Sequence, residues 1–152
     1  MSVLKEKRTT SAAEYVNTAN QIYVETVAFL TRLSARYSRL LAEATAKLAG
    51  EIMDHAEKAN KIFPSDDQRK QQRKAHHLEA LAALSALDVR LTHCYLIMYQ
   101  NPQGCFVDGK GKAIPPVEAV ARLDNMAQSL GELIDQEETL LRNIMDSDRK
   151  RK

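Results

Sequence analysis

The chain has no tryptophan, three phenylalanines and only five glycines in 152 residues. An aromatic-poor, glycine-poor chain is a poor candidate for a β-rich fold, which draws on aromatic and β-branched residues and on frequent turns. Cysteine is nearly absent as well. Cys94 and Cys105 lie eleven positions apart, which matches no metal-ligand or redox-motif spacing and reads as two reduced thiols. No apolar run approaches the roughly 20 residues that span a bilayer, so no membrane partner is expected. The first residues, Met1 to Arg8, carry charges with no apolar core behind them. They do not read as a secretory signal, and the expected location is the cytoplasm.

Signatures of chemistry are missing too. A di-metal bundle needs Glu-x-x-His on two helices, and the sequence has none. Glu51 and His55 stand four apart, while His76 and His77 are adjacent and cannot share one helix face. Neither cysteine nor any serine sits in a nucleophile motif. Lys110-Gly111-Lys112 lacks the remainder of a phosphate-binding loop and reads as a hairpin tip. No enzyme activity, cofactor or metal is expected.

What the chain does have is alanine, leucine and charge. Alanine and leucine lose little conformational entropy in a helix, so their abundance favours helix throughout. Four apolar-striped segments follow. Thr10 or Ser11 can cap a first helix, with Glu14 completing a capping box. Its apolar positions are Tyr15, Ala19, Ile22, Val24, Val27, Phe29 and Leu30. It fades over residues 33–36, where no Gly or Pro marks a stop. The second helix, 38–63, carries Leu41, Ala44, Leu48, Ile52, His55, Ala59 and Ile62 in alternating steps of three and four. Gly50 inside it invites a close helix approach, and Pro64 ends it. The third, 67–100, presents Leu78, Leu81, Leu84, Ser85, Asp88, Leu91, Tyr95 and Met98. Asn101-Pro102-Gln103-Gly104 stops it, and Asp108-Gly109 between short apolar runs predicts a small hairpin. Pro115-Pro116 opens the fourth helix, 116–147, with Val117, Val120, Leu123, Ala127, Leu130, Ile134, Leu141 and Ile144 in line. Asp88 and Glu137 fall near apolar stripes, where Arg90, Arg122 or Arg142 would have to pair with them.

These features predict one all-α domain over residues 1–152, an antiparallel up-down-up-down four-helix bundle with a short hairpin between helices 3 and 4. Residues 1–10 and 148–152 read as flexible ends.

The net charge of +2 is small, but its distribution is uneven. Residues 58–74 hold six basic groups against two acids, and residues 113–148 hold two against eight. The chain closes on Arg149, Lys150, Arg151 and Lys152. Arg32, Arg36 and Arg39 form one helical cluster; Arg69, Lys70, Arg73 and Lys74 form another. Folding could gather such groups at one end or face. A solvated helix end is the bland alternative for each charge, while two clusters with a basic tail point to polyanion contact.

The segment Ala59-Asn60-Lys61-Ile62-Phe63-Pro64, with Arg36-Tyr37, Arg73-Lys74 and the closing Ile144-Met145-Asp146-Ser147-Asp148-Arg149, resembles the accessory variability determinants of diversity-generating retroelements. Those bundle proteins are related to proteins encoded by intervening sequences of ribosomal RNA genes. The resemblance spans most of the chain, from about residue 12 onward, and rests on packing and turn residues. It implies a homopentamer that binds a reverse transcriptase and template RNA or an RNA–DNA hybrid, supporting mutagenic copying without catalysing it. The implied contacts are Arg32, Arg36, Arg39, Arg69, Lys70, Arg73, Lys74 and the tail Arg149, Lys150, Arg151 and Lys152. One departure is charge, since family members are often strongly basic; this favours an adaptor to the polymerase over a free-standing RNA binder. The alternatives are a bundle scaffold or regulator with another partner, and a cryptic metal-dependent activity in the core.

Overall fold

Where each helix stops follows from local chemistry. The computed structural model describes residues 13–151, in the order α1 (Glu14–Leu30), α2 (Ala35–Lys61), α3 (Asp67–Gln100) and α4 (Pro116–Lys150). The predicted cap at Thr10 or Ser11 lies outside the described residues. The break that carries no Gly or Pro falls at residues 31–34. The Thr31 hydroxyl donates to the Ala28 carbonyl at 2.6 Å, and Arg32 and Leu33 tighten into three-residue turns. Leu33 then buries, and Ser34 is extended. At the far end of α2, Ile62 is extended and Pro64 follows closely. Asp66 caps α3 by accepting from the Arg69 amide at 2.8 Å, worth about 1 kcal/mol. Pro116 occupies the first position of α4, where its missing N–H costs nothing.

The helices pack in a ring, α1 against α2 and α4, and α3 against α2 and α4. Cross-helix pairs fix their directions. Ser129 donates to Glu25 and Gln136 to Thr18, so α1 and α4 run antiparallel. His55 meets His76 and the Ala59 carbonyl meets Arg73, so α2 and α3 do too. Tyr95 with Asp124 and Arg73 with Asp148 set α3 against α4. The predicted up-down-up-down bundle is therefore the fold.

Between α3 and α4 the chain makes one 3₁₀ turn (Pro102–Gly104) and the hairpin. Val107 bridges Ala113, and the Asp108 side chain accepts from the Lys110 and Lys112 amides. Gly111 has a positive φ, 80°. Phe106 and Ile114 turn inward, and the Arg32 guanidinium lies 4.6 Å from the centre of the Phe106 ring. The hairpin thus closes the end of the bundle where α1 meets α2.

The core row of α3 keeps Leu84, Leu91 and Met98 of the predicted stripe and departs from it elsewhere. His77, Ala80, Leu84, Leu87, Leu91, Cys94 and Met98 are buried, whereas Leu78, Ser85 and Asp88 face outward. The reason is that α3 carries apolar residues on nearly every side, so periodicity alone does not choose its inward face. The expectation of no membrane-length apolar run also needs correction. α3 contains an 18-residue window of mean hydropathy 1.3, long and apolar enough to cross a membrane by length and composition. A bundle's core helix passes the same test, and a third of that window is buried in this bundle. Gly50 does not serve close approach: a Cβ there would meet the Tyr23 ring at an ordinary 3.8 Å.

Residues 148–151 are not a loose tail. α4 continues through Lys150, Asp148 pairs with Arg73, and Lys70 donates to the Arg151 carbonyl at 2.6 Å. The Arg151 guanidinium covers Phe63. Residues 1–10 and Lys152 lie outside the described residues.

Candidate functional site: a cationic cleft between two helix ends

Antiparallel packing brings the start of α3 against the end of α4. On α3, Lys70, Lys74 and His77 are spaced by four and three, and so share one face. On α4, Arg142, Met145 and Arg149 are spaced by three and four. The two faces enclose a cavity of about 380 Å³, completed by Gln71, Asp146 and Asp148. That volume lies within the usual range for ligand pockets, about 300–1,000 Å³.

The charges lining this cleft are unequal in freedom. Arg149 and Lys150 both pair with Asp146, at 2.5 and 3.0 Å, and these donors hold the Asp146 carboxyl below its ordinary pKa. Arg142 pairs with Glu138 on its own helix at 3.2 Å. Lys70 donates to the Arg151 carbonyl and makes no ion pair among the described residues. Lys74 makes no ion pair among the described residues and is exposed. The exposed pairs contribute little to stability, from nothing to about 1 kcal/mol each, and are readily exchanged for an incoming anion.

Arg73 differs from its neighbours. Its side chain is 10% exposed, and its Nε donates to Asp148 at 2.6 Å. Its Nη1 donates to the Ile62 and Ala59 carbonyls at 3.1 and 3.4 Å. It therefore ties α3 to the end of α4 and supplies partners for the last carbonyls of α2. Sequence spacing grouped it with Arg69, but the bundle turns it inward.

The floor of the cleft holds a residue that the sequence did not single out for binding. His77 is fully buried, and neither ring nitrogen has a hydrogen-bond partner among the described residues. It packs edge-on to Tyr15, with ring centres 5.2 Å apart. Burial, with the positive charge of Arg73 next in importance, lowers its pKa from 6.5 to about 4. The imidazole is thus neutral at physiological pH, with one donor and one acceptor to offer.

The other basic cluster lies at the opposite end, so folding splits the basic groups rather than gathering them. Arg32 is spent on Phe106. Arg36 and Arg39 are exposed and make no ion pair among the described residues. They sit in the first turns of α2, which has no acid in its first turn. Cations there oppose the helix dipole, at a cost of about 0.3–1 kcal/mol each. Arg69 is exposed and tied to its own cap, Asp66.

One further reading changes with the structure. Glu137 is buried without any arginine partner, since Arg122 pairs with Glu118 and Arg142 with Glu138. His55 and His76 meet at 3.0 Å, Nδ1 to Nδ1, as a hydrogen-bonded pair between α2 and α3. Cys94 and Cys105 are free thiols. Among the described residues, no group of three or more His, Cys, Asp or Glu is placed to hold a metal ion.

No protein-family model, curated protein or solved structure matches this chain.

Proposed function

We propose that this bundle is a non-catalytic accessory subunit of a diversity-generating retroelement, which binds template RNA or an RNA–DNA hybrid while a partner reverse transcriptase performs the synthesis. The observation that carries the nucleic-acid half is the convergence of Lys70, Lys74, Arg142 and Arg149 on one cleft, from helices distant in sequence. Each phosphate neutralised there adds a salt-dependent increment to affinity. Arg36 and Arg39 offer a second contact at the other end of the bundle.

The protein-binding half is supported by a row of exposed apolar side chains on α3. Leu78, Val89, Leu96 and Tyr99 are about half exposed, and their spacing puts them on one helical face. Such a row suits contact with the polymerase or with further copies of the chain, and a homopentamer is the assembly proposed. A scaffolding or regulatory bundle with another protein partner is the second reading, favoured by the same row alone.

The test is co-purification with a reverse transcriptase encoded beside this chain and its template RNA, where such a gene is found, followed by a salt titration of each pairwise complex. RNA affinity should fall steeply with salt, and Lys70→Glu with Lys74→Glu should flatten that dependence. A protein that is monomeric by light scattering and retained by neither RNA nor polymerase would refute the proposal.

A further inference from the structure

The cleft differs from a simple basic patch in what lies beneath its charges. A patch that only neutralises phosphates needs no depth and no buried hydrogen-bonding group. Here the cations stand at the mouth, Met145 and the aliphatic stems of the lysines and arginines provide apolar walls, and His77 lines the interior. A buried polar side chain without a partner costs about 1–3 kcal/mol, and both imidazole nitrogens of His77 are in that condition. A ligand that reaches His77 would relieve the cost.

The layering specifies the ligand's chemistry. Its inner end must be flat or compact, largely apolar and able to exchange a hydrogen bond with a neutral imidazole. Its outer end must be anionic. A free phosphate satisfies only the outer requirement, because a neutral imidazole among apolar walls gives a dianion no charge. A duplex likewise satisfies only the outer requirement, since its phosphates can reach the mouth but its bases are paired and a cavity of about 380 Å³ has no room for it. One nucleotide satisfies both: every base has a π-face, and its edge carries donors and acceptors.

We propose that this cleft takes a single unpaired nucleotide of an RNA strand, with the base inserted toward His77 and its phosphates held at the mouth by Lys70 and Lys74. Asp146 and Asp148 also line the cavity, and their engagement with Arg149, Lys150 and Arg73 keeps them from repelling the strand. The inference rests on the nucleic-acid reading above and deepens it: the protein would prefer single-stranded stretches and free ends to continuous duplex.

The experiment uses the full chain, titrated calorimetrically with AMP, GMP, CMP, UMP, ribose 5-phosphate and inorganic phosphate, with the His77 imidazole followed by nitrogen-15 NMR. At least one mononucleotide should bind about tenfold tighter than ribose 5-phosphate and shift the His77 ring signals, as expected when a base stacks and bonds in a pocket. Lys74→Glu should weaken the mononucleotide and ribose 5-phosphate alike. His77→Leu, which removes a buried unpartnered group and so should still fold, should reduce the mononucleotide to the level of ribose 5-phosphate. The proposal is overturned if ribose 5-phosphate binds as tightly as every mononucleotide, if no mononucleotide binds, or if binding leaves the His77 signals in place. A parallel titration with a single-stranded RNA and its abasic counterpart separates the two claims. Equal, salt-sensitive binding of both strands would sink base insertion and leave the polyanion reading standing; binding of neither would remove both.

Discussion

Glu137 is wholly buried on α4, and neither carboxyl oxygen has a partner among the described residues. Burial pushes its pKa from 4.5 up to about 8. At neutral pH the folded protein therefore holds this proton, whereas the unfolded chain has released it. Because the folded state binds the extra proton, stability is full below the unfolded value and is lost as pH rises toward 8. The slope is about 1.4 kcal/mol per pH unit. His77 works with the opposite sign. Its pKa drops from 6.5 to about 4, so its contribution is present above 6.5 and lost as pH falls. The smaller depression at His76, from burial and from His55, acts in the same direction as His77. The opposing contributions offset each other from about pH 4.5 to 6.5, and above that Glu137 acts alone. The interval from there to pH 8 should remove about 2 kcal/mol, or about 4–8 °C of Tm for a chain of this size. Glu137→Gln keeps the shape and abolishes the titration. Urea unfolding in steps across this range should show the wild-type protein losing stability above about pH 6.5 and the variant holding level. Parallel curves for the two proteins would refute the reasoning, since they would mean that the carboxylate is ionised and solvated inside the fold.

Arg73→Met should cost about 3–5 kcal/mol in urea unfolding, because it strands the largely buried Asp148 carboxylate and frees the carbonyls at the end of α2. In a double-mutant cycle with Asp148→Asn the losses should fall well short of adding. Gly50→Ala should stabilise α2 by about 0.5–1 kcal/mol, since a methyl group there meets only ordinary contact with Tyr23; a loss of stability would show that the helices are closer than described. The Tyr95 hydroxyl donates to Asp124 at 2.5 Å, and that bond first, with burial next, pushes its pKa up to about 12. In an ultraviolet titration Asp124→Asn should return one late-ionising phenol toward its ordinary range, and an unchanged curve would rule out the bond.

The sequence by itself determined the elements. Ala and Leu content, Pro64 and Pro115-Pro116 placed the four helices to within a few residues, because these signals act through the local backbone. Their antiparallel order followed from two short connections and one modest hairpin. The break at residues 31–34 was harder to place, since it depends on Leu33 finding a buried position and not on any breaker residue. The inward face of α3 was legible only in part: Leu84, Leu91 and Met98 were read inward, while His77, Ala80, Leu87 and Cys94 were not. A helix that is apolar nearly all round gives periodicity little to choose between, and only packing against α2 and α4 sends His77 and Leu87 inward and leaves Leu78 and Val89 outside. The cleft had the same status. The spacing of Lys70, Lys74 and His77 is visible in the sequence, as is that of Arg142, Met145 and Arg149, yet each alone reads as one face of a solvated helix. Tertiary structure decided that these two faces meet, that Arg73 leaves its basic neighbours to hold Asp148, and that a neutral histidine lies beneath the charges. Those outcomes depend on the register between α3 and α4, a long-range relation that no local signal encodes.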